Sequence, residues 1–173
     1  MSVLEVVVRS FQASQWRAYR DLRLRALTDS PNAFATTLAQ AELLSDQEWQ
    51  RRFVDLSAEH NLPMVAEVDG EFAGMAWVHI DASAPTIAHL FQMWVAPAYR
   101  GRGVGRKLLD RAIQWVRSRG AEEVLLGVTC GDSPARRLYT SAGFKPVGRV
   151  EPLRPMSELM VQNMVLAVPP DAA

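Results

Sequence analysis

Apolar and polar positions change their period several times along this chain, and each change marks an element. Residues 3–9 are valine-rich and read as a strand. From residue 14 to 27 the spacing becomes helical, with Trp16, Tyr19, Arg23 and Leu27 on one stripe and Leu22 and Ala26 beside it. Ser30-Pro31-Asn32 stops that helix, and Ser45 with Glu48 forms a capping box opening a second one through Trp49 and Phe53. Residues 63–68 and 72–80 read as two strands joined by the hairpin dipeptide Asp69-Gly70. A strand over 87–95 follows a polar connection, then a glycine-rich turn and an amphipathic helix over about 103–119 that Gly120 ends. Residues 123–129 form a fifth strand, residues 132–143 a short capped helix, and residues 144–150 and 160–168 two closing strands.

Composition narrows the class without naming a function. No repeat, low-complexity block or long linker interrupts the 173 residues, and 49% hydrophobic content suffices for one compact domain over 1–173. Nineteen basic and nineteen acidic residues cancel, so no global field draws the chain to nucleic acid or to an anionic membrane. Cys130 is the single cysteine, which excludes an internal disulfide, and no metal cluster finds its ligands in the sequence. No apolar run approaches a membrane span, and the start Met-Ser-Val-Leu-Glu-Val lacks the features of an export signal. A cytoplasmic monomer or homodimer is expected.

Candidate chemistry concentrates between Leu90 and Leu109. An apolar strand ending in Met93-Trp94-Val95 runs into Pro97, then Arg100-Gly101-Arg102-Gly103-Val104-Gly105-Arg106, then a helix with no acidic residue in its first turn. Unpaired N–H groups at a helix start form an anion site, glycines admit a bulky phosphate, and arginines add charge. A nucleoside-triphosphate loop needs Gly-Lys-Ser/Thr, but Lys107 follows Arg106 and precedes Leu108. A dinucleotide loop needs Gly-x-Gly-x-x-Gly directly after a strand, and neither the spacing nor the strand's arrival fits. Arg100-x-x-Gly103-x-Gly105 resembles instead the coenzyme A loop of the GNAT superfamily of N-acetyltransferases, with its Gln/Arg-x-x-Gly-x-Gly/Ala pattern.

A second segment strengthens the resemblance. Asp132 or Ser133 caps a short helix, Pro134 suits its first turn and Gly143 ends it. Ala135, Leu138, Tyr139, Gly143 and Phe144 also align with the second GNAT signature, with Asp132 standing where the family usually has Asn. The resemblance implies a mixed α/β (α+β) fold: a central, mostly antiparallel sheet of about seven strands, helices on both faces, and splayed fourth and fifth strands. It implies acetyl-CoA as cosubstrate without a metal. Pantetheine would pair with the open strand edge at Met93, Trp94 and Val95, and the phosphates would sit on the loop.

Acetyl transfer to an amine raises two proton problems. The ammonium, with a pKa of about 10, must be deprotonated, and the thiolate, with a pKa of about 8.5, leaves better with a donor. Tyr139 matches the family's tyrosine for the donor role. Some family members carry a glutamate on the fifth strand, where this chain has Gly127; others carry one on the fourth strand, where the count lands on His89. Symmetric pairing about Ala84 would set His79 opposite His89, while Glu67 and water relays stay open as bases. The expected reaction is direct attack by a primary amine of a small molecule or peptide in a ternary complex. The competing class is a catalytically idle acyl-CoA sensor. The resemblance implies that residues 23–53 wall the acceptor cleft, and they lack a concentrated acidic cluster, which disfavours a polyamine.

Overall fold

The computed structural model describes residues 4–54 and 56–171, so Val3, the start of the first expected strand, lies outside them. In chain order the elements are β1 (Val6–Ser10), α1 (Trp16–Asp29), α2 (Leu38–Glu42), α3 (Asp46–Val54), β2 (Asn61–Val68), β3 (Glu71–Ile80), β4 (Ile87–Val95), α4 (Val104–Ser118), β5 (Glu123–Thr129), α5 (Pro134–Ser141), β6 (Lys145–Pro152) and β7 (Met160–Ala167). The strands form one sheet in the order β1-β2-β3-β4-β5-β7-β6, antiparallel throughout except for parallel β4 and β5.

Local chemistry explains the bounds. Asp69 and Gly70 both take positive φ (51° and 82°), the backbone a two-residue hairpin between twisted strands requires. Ser45 and Glu48 cap α3 reciprocally, Glu48 N–H donating to Ser45 Oγ and Ser45 N–H to Glu48 Oε2. The same device, Thr37 with Gln40, opens α2, which the sequence reading passed over because five residues are too few to display a period. Pro63 sits inside β2 rather than at its start. Its carbonyl accepts from Phe11 N–H at 2.8 Å where β1 ends, so the missing N–H breaks no ladder bond.

Each face of the sheet carries its own core. The apolar stripe of α4, including Leu108, Leu109, Ala112 and Val116, packs on one face and is fully buried. Burial of each leucine there contributes about 2 kcal/mol. On the other face Tyr19 of α1 makes edge contacts with Phe11, Trp49, Phe53 and Trp77, at centroid distances of 5.2–6.0 Å.

Two irregularities in β4 prepare the site. It pairs with β5 only at Ile87–Glu123, Ala88–Val124 and His89–Leu125, and beyond these the strands diverge. Against β3, Phe91 faces Trp77 and Trp94 faces Met75, so Gln92 and Met93 together oppose Ala76. That extra residue is a bulge, with Gln92 at φ 57°, and it reverses the alternation. Leu90 before it packs with α4, whereas Trp94 after it packs with α1.

Candidate active site

A cleft of about 1300 Å3 opens where β4 and β5 part. Ala96 N–H donates to Ala73 O, so the N–H of Val95, one residue earlier in extended chain, points to the unpaired side. Gly74 lets β3 close tightly on this strand end, since a Cβ there would stand 2.7 Å from Trp94 O. Beyond Val95, a 3-10 turn at Pro97–Tyr99 leads into Gly101 and Gly103, whose φ angles of 73° and 79° only glycine adopts without strain. Gly103 is the N-cap of α4, and Lys107 N–H donates to its carbonyl at 3.1 Å. The N–H groups of Val104, Gly105 and Arg106 precede that first helical bond and have no acceptor within the helix. All three residues line the cleft.

Gly105 serves packing. A Cβ there would lie 3.3 Å from Leu138 Cδ2 and 3.6 Å from Val95 Cγ2, so the phosphate loop and α5 are pressed together at this residue. Of the two candidate caps for α5, Ser133 acts, accepting from Arg136 N–H at 3.2 Å. Tyr139 of α5 is 5% exposed, packs against Phe144 at 5.8 Å and lines the cleft. Burial pushes its phenol pKa up, so the hydroxyl keeps its proton through neutral pH.

The arginines divide. Arg100 turns back, donating from Nε to Val95 O at 2.9 Å and from Nη2 to Asp29. Asp29, at the end of α1, also accepts from Ser30 Oγ (2.7 Å) and Trp94 Nε1 (3.0 Å). Hydrogen bonds from Ser30 and Trp94, aided by Arg100, lower its carboxyl pKa to about 2. Arg100 therefore fixes the loop to β4 and α1. Arg106 pairs with Asp110 on the surface at 3.0 Å and lines the cleft.

The structure thus brings the strand edge at Met93, Trp94 and Val95, the turn with Arg100, Gly101 and Gly103, the helix start at 104–106 and Tyr139 onto one cleft. Arg102 and Asp132 stand apart from it, Asp132 pairing with Arg137 at 2.7 Å on the surface. His89 does face His79 across the β3–β4 pair, but it is exposed and lies outside the cleft lining. His79 Nδ1 lies 2.9 Å from Asn61 Oδ1. Glu67 is ion-paired with Arg9, and at Gly127 a Cβ would meet Val161 Cγ1 at 2.9 Å, leaving no room for a base.

Three cleft residues have roles that the sequence does not assign. Gln92 accepts from Tyr19 Oη at 2.6 Å, a bond that pins the bulge to α1. Asp29 carries no signal, because its partners in β4 and the phosphate loop lie 65 and 71 residues away. Arg23 does carry one: a charged residue on the buried stripe of a helix. Against Arg23 stands Phe34, whose carbonyl accepts from Arg154 at 2.8 Å, while Asn32 O accepts from Thr129 Oγ1 at 2.6 Å. These bonds hold segment 31–34 as the outer wall. Among the described residues no group of side chains could hold a metal, and no helix is long and apolar enough to cross a membrane.

Comparison with known proteins agrees with this geometry. The sequence model of the Acetyltransferase (GNAT) family matches residues 16–144. A mycothiol acetyltransferase of Beutenbergia cavernae is 30% identical over 130 residues, covering 75% of this chain and 41% of that protein. An uncharacterized N-acetyltransferase of Archaeoglobus fulgidus is 32% identical over 95 residues, covering 52% of this chain and 64% of that one. The chain spans less than half the length of the mycothiol acetyltransferases it matches. Its fold superposes on a GNAT-family acetyltransferase of Streptococcus pneumoniae (TM-score 0.81, 22% identity, 95% of this chain and 100% of the other). It also superposes on a putative acetyltransferase of Salmonella typhimurium solved with acetyl-CoA (TM-score 0.79, 20% identity, 98% and 97%). The splayed strands, the capped glycine turn and the matched family model converge: this chain belongs to the GNAT family of acetyltransferases.

Proposed function

We propose that residues 1–173 act as one acetyltransferase domain that moves an acetyl group from acetyl-CoA to a primary amine by direct attack in a ternary complex. The observation that carries this reading is a buried, protonated Tyr139 on the same cleft as an open strand edge and an unpartnered helix start. The N–H groups at 104–106 receive the pyrophosphate, with Arg106 beside them. The edge at Met93 to Val95 pairs with the pantetheine amides, and its N–H groups polarise the thioester carbonyl. The neutral amine attacks that carbon, the C–N bond forms, and the C–S bond breaks. Tyr139 gives its proton to the departing sulfur and regains one from solvent, while the new amide nitrogen loses its surplus proton. His89 stands outside the cleft, so the ammonium proton leaves through water in the open mouth.

The acceptor is a small molecule or peptide amine. Sequence relatives are named mycothiol acetyltransferase and a structural neighbour is named spermidine N-acetyltransferase, and the absence of an acidic cluster at 23–53 disfavours a polyamine here. Thiol release from acetyl-CoA, measured across a panel of amines, tests the reading. Tyr139→Phe should lower kcat roughly 100-fold or more while the Kd for acetyl-CoA hardly moves. Tight binding with no thiol release from any amine would favour an idle acyl-CoA sensor instead.

A further inference from the structure

One charged side chain in the cleft has no counterpart in the acetyl-transfer machinery. Arg23 is 5% exposed, yet it lines the cleft, and its Nη1 has no hydrogen-bond partner among the described residues. Its guanidinium lies over the ring of Phe34, 4.4 Å from the centroid, a contact that covers one face and supplies Nη1 with no acceptor. A buried guanidinium without an acceptor is costly, and truly orphaned charged groups are rare in folded chains. No carboxylate forms an ion pair with it among the described residues. The two acidic residues on the cleft do not serve it either. Asp29 is held by Ser30, Trp94 and Arg100, and Glu151 is exposed on β6.

We propose that Arg23 receives a carboxylate on the acceptor, so that the amine acetylated by this chain is an amino acid or another small amino-carboxylate. The assignment rests on the acetyl-transfer reading and gives its acceptor a chemical class. Carboxylate fits better than phosphate, because one fork with one covered face satisfies a planar monoanion, whereas a dianion calls for further donors. Desolvation lowers the Arg23 pKa to about 10, with Arg52 adding to the effect and Tyr19 opposing it, so the group stays charged at neutral pH. Its charge is therefore available in a dry setting, where an ion pair is strong. The neighbouring parts are fixed: Tyr19 donates to Gln92, and Arg154 holds the Phe34 carbonyl. Arg23 thus lines the same cleft as Gln92 and Tyr139, one helical turn along α1 from the Tyr19 that bonds the bulge of β4.

The test compares amino acids with their own carboxamides: glycine, β-alanine, 4-aminobutyrate, methionine and phenylalanine, each against the matching amide. Thiol release is read with acetyl-CoA saturating, and the CoA-loaded protein is titrated with the same compounds by calorimetry. At least one acid should exceed its amide in kcat/KM by roughly 10- to 100-fold, the range of a charge-assisted hydrogen bond. Arg23→Met should bring that acid down to the level of its amide, chiefly through KM, while the Kd for acetyl-CoA is retained. Arg23→Lys should keep part of the preference, and it replaces the Met variant if that one fails to fold. Equal rates for every acid and amide, or a preference that persists in Arg23→Met, overturns the proposal while leaving acetyl transfer intact. If no amine is turned over, the transfer reading fails alone. Calorimetry then decides: acid binding that Arg23→Met abolishes upholds the carboxylate site, and no acid binding overturns it.

Discussion

Replacing Asp29 by asparagine removes one charge from the joint between α1, β4 and the phosphate loop while keeping the side chain's size. Asp29 accepts from Trp94 Nε1, Ser30 Oγ and Arg100 Nη2, and these bonds lower its pKa from 3.8 to about 2. A shift of that size corresponds to an upper bound of about 2.5 kcal/mol of stability at neutral pH. The side chain is 27% exposed. Solvent screening therefore reduces the expected loss in Asp29→Asn to about 1 kcal/mol, or roughly 2–4 °C in Tm. The sign follows from the lowered pKa: this stability is present above the ordinary carboxyl range and is lost as pH falls from about 4 towards 2. Urea unfolding midpoints of the wild type and Asp29→Asn, measured at steps from pH 7 to pH 2.5, should be separated at the top and converge at the bottom. In a double-mutant cycle at pH 7, Arg100→Met should cost less in the Asn background than in the wild type. A gap that stays constant with pH, or an asparagine variant as stable as the wild type at pH 7, would refute the assignment of Asp29 as the charged anchor.

Four other outcomes are expected. Gly105→Val should destabilise by about 1–3 kcal/mol, because its side chain would press on Leu138, and adding Leu138→Ala should restore stability; thermal melts check both. Tyr19→Phe should cost about 1–2 kcal/mol by leaving Gln92 Oε1 without its donor, measured by urea denaturation. Burial raises the Tyr139 pKa, so wild-type stability should fall as pH climbs past about 10, where the unfolded tyrosine ionises first; Tyr139→Phe should show a shallower alkaline slope in the same melts. His89→Gln should leave the pH dependence of kcat/KM unchanged, and a lost acid limb would return the imidazole to the proton path.

Much of the frame was legible in the residues themselves. The bounds of β4 and β5, the Asp69-Gly70 turn, the Ser45–Glu48 cap and the pairing of His79 with His89 all follow from local spacing, and local rules decide such features. The glycine turn was legible too, but not the separate jobs of its residues. Gly103 serves backbone conformation and Gly105 serves packing against a helix 33 residues later, a contact no local pattern reveals. Spacing in the loop makes Arg100 a phosphate charge, whereas its long side chain bonds Val95 and Asp29, the second of them 71 residues earlier. The bulge at Gln92 was hidden because a strand with one extra residue keeps its apolar composition while reversing its faces. Position on β4 made His89 a candidate base, and the position was right; what spacing could not tell is that the cleft begins one residue later, at Leu90.

A crystal structure of the protein with bound acetyl-CoA would show whether the gap between β4 and β5 is the cofactor site. The pyrophosphate should lie on the N–H groups of 104–106, the pantetheine amides along the edge at Met93–Val95, and the thioester sulfur within hydrogen-bonding distance of the Tyr139 hydroxyl. Acetyl-CoA bound away from the gap between β4 and β5, or a thioester sulfur remote from Tyr139, would overturn the assignment of this cleft.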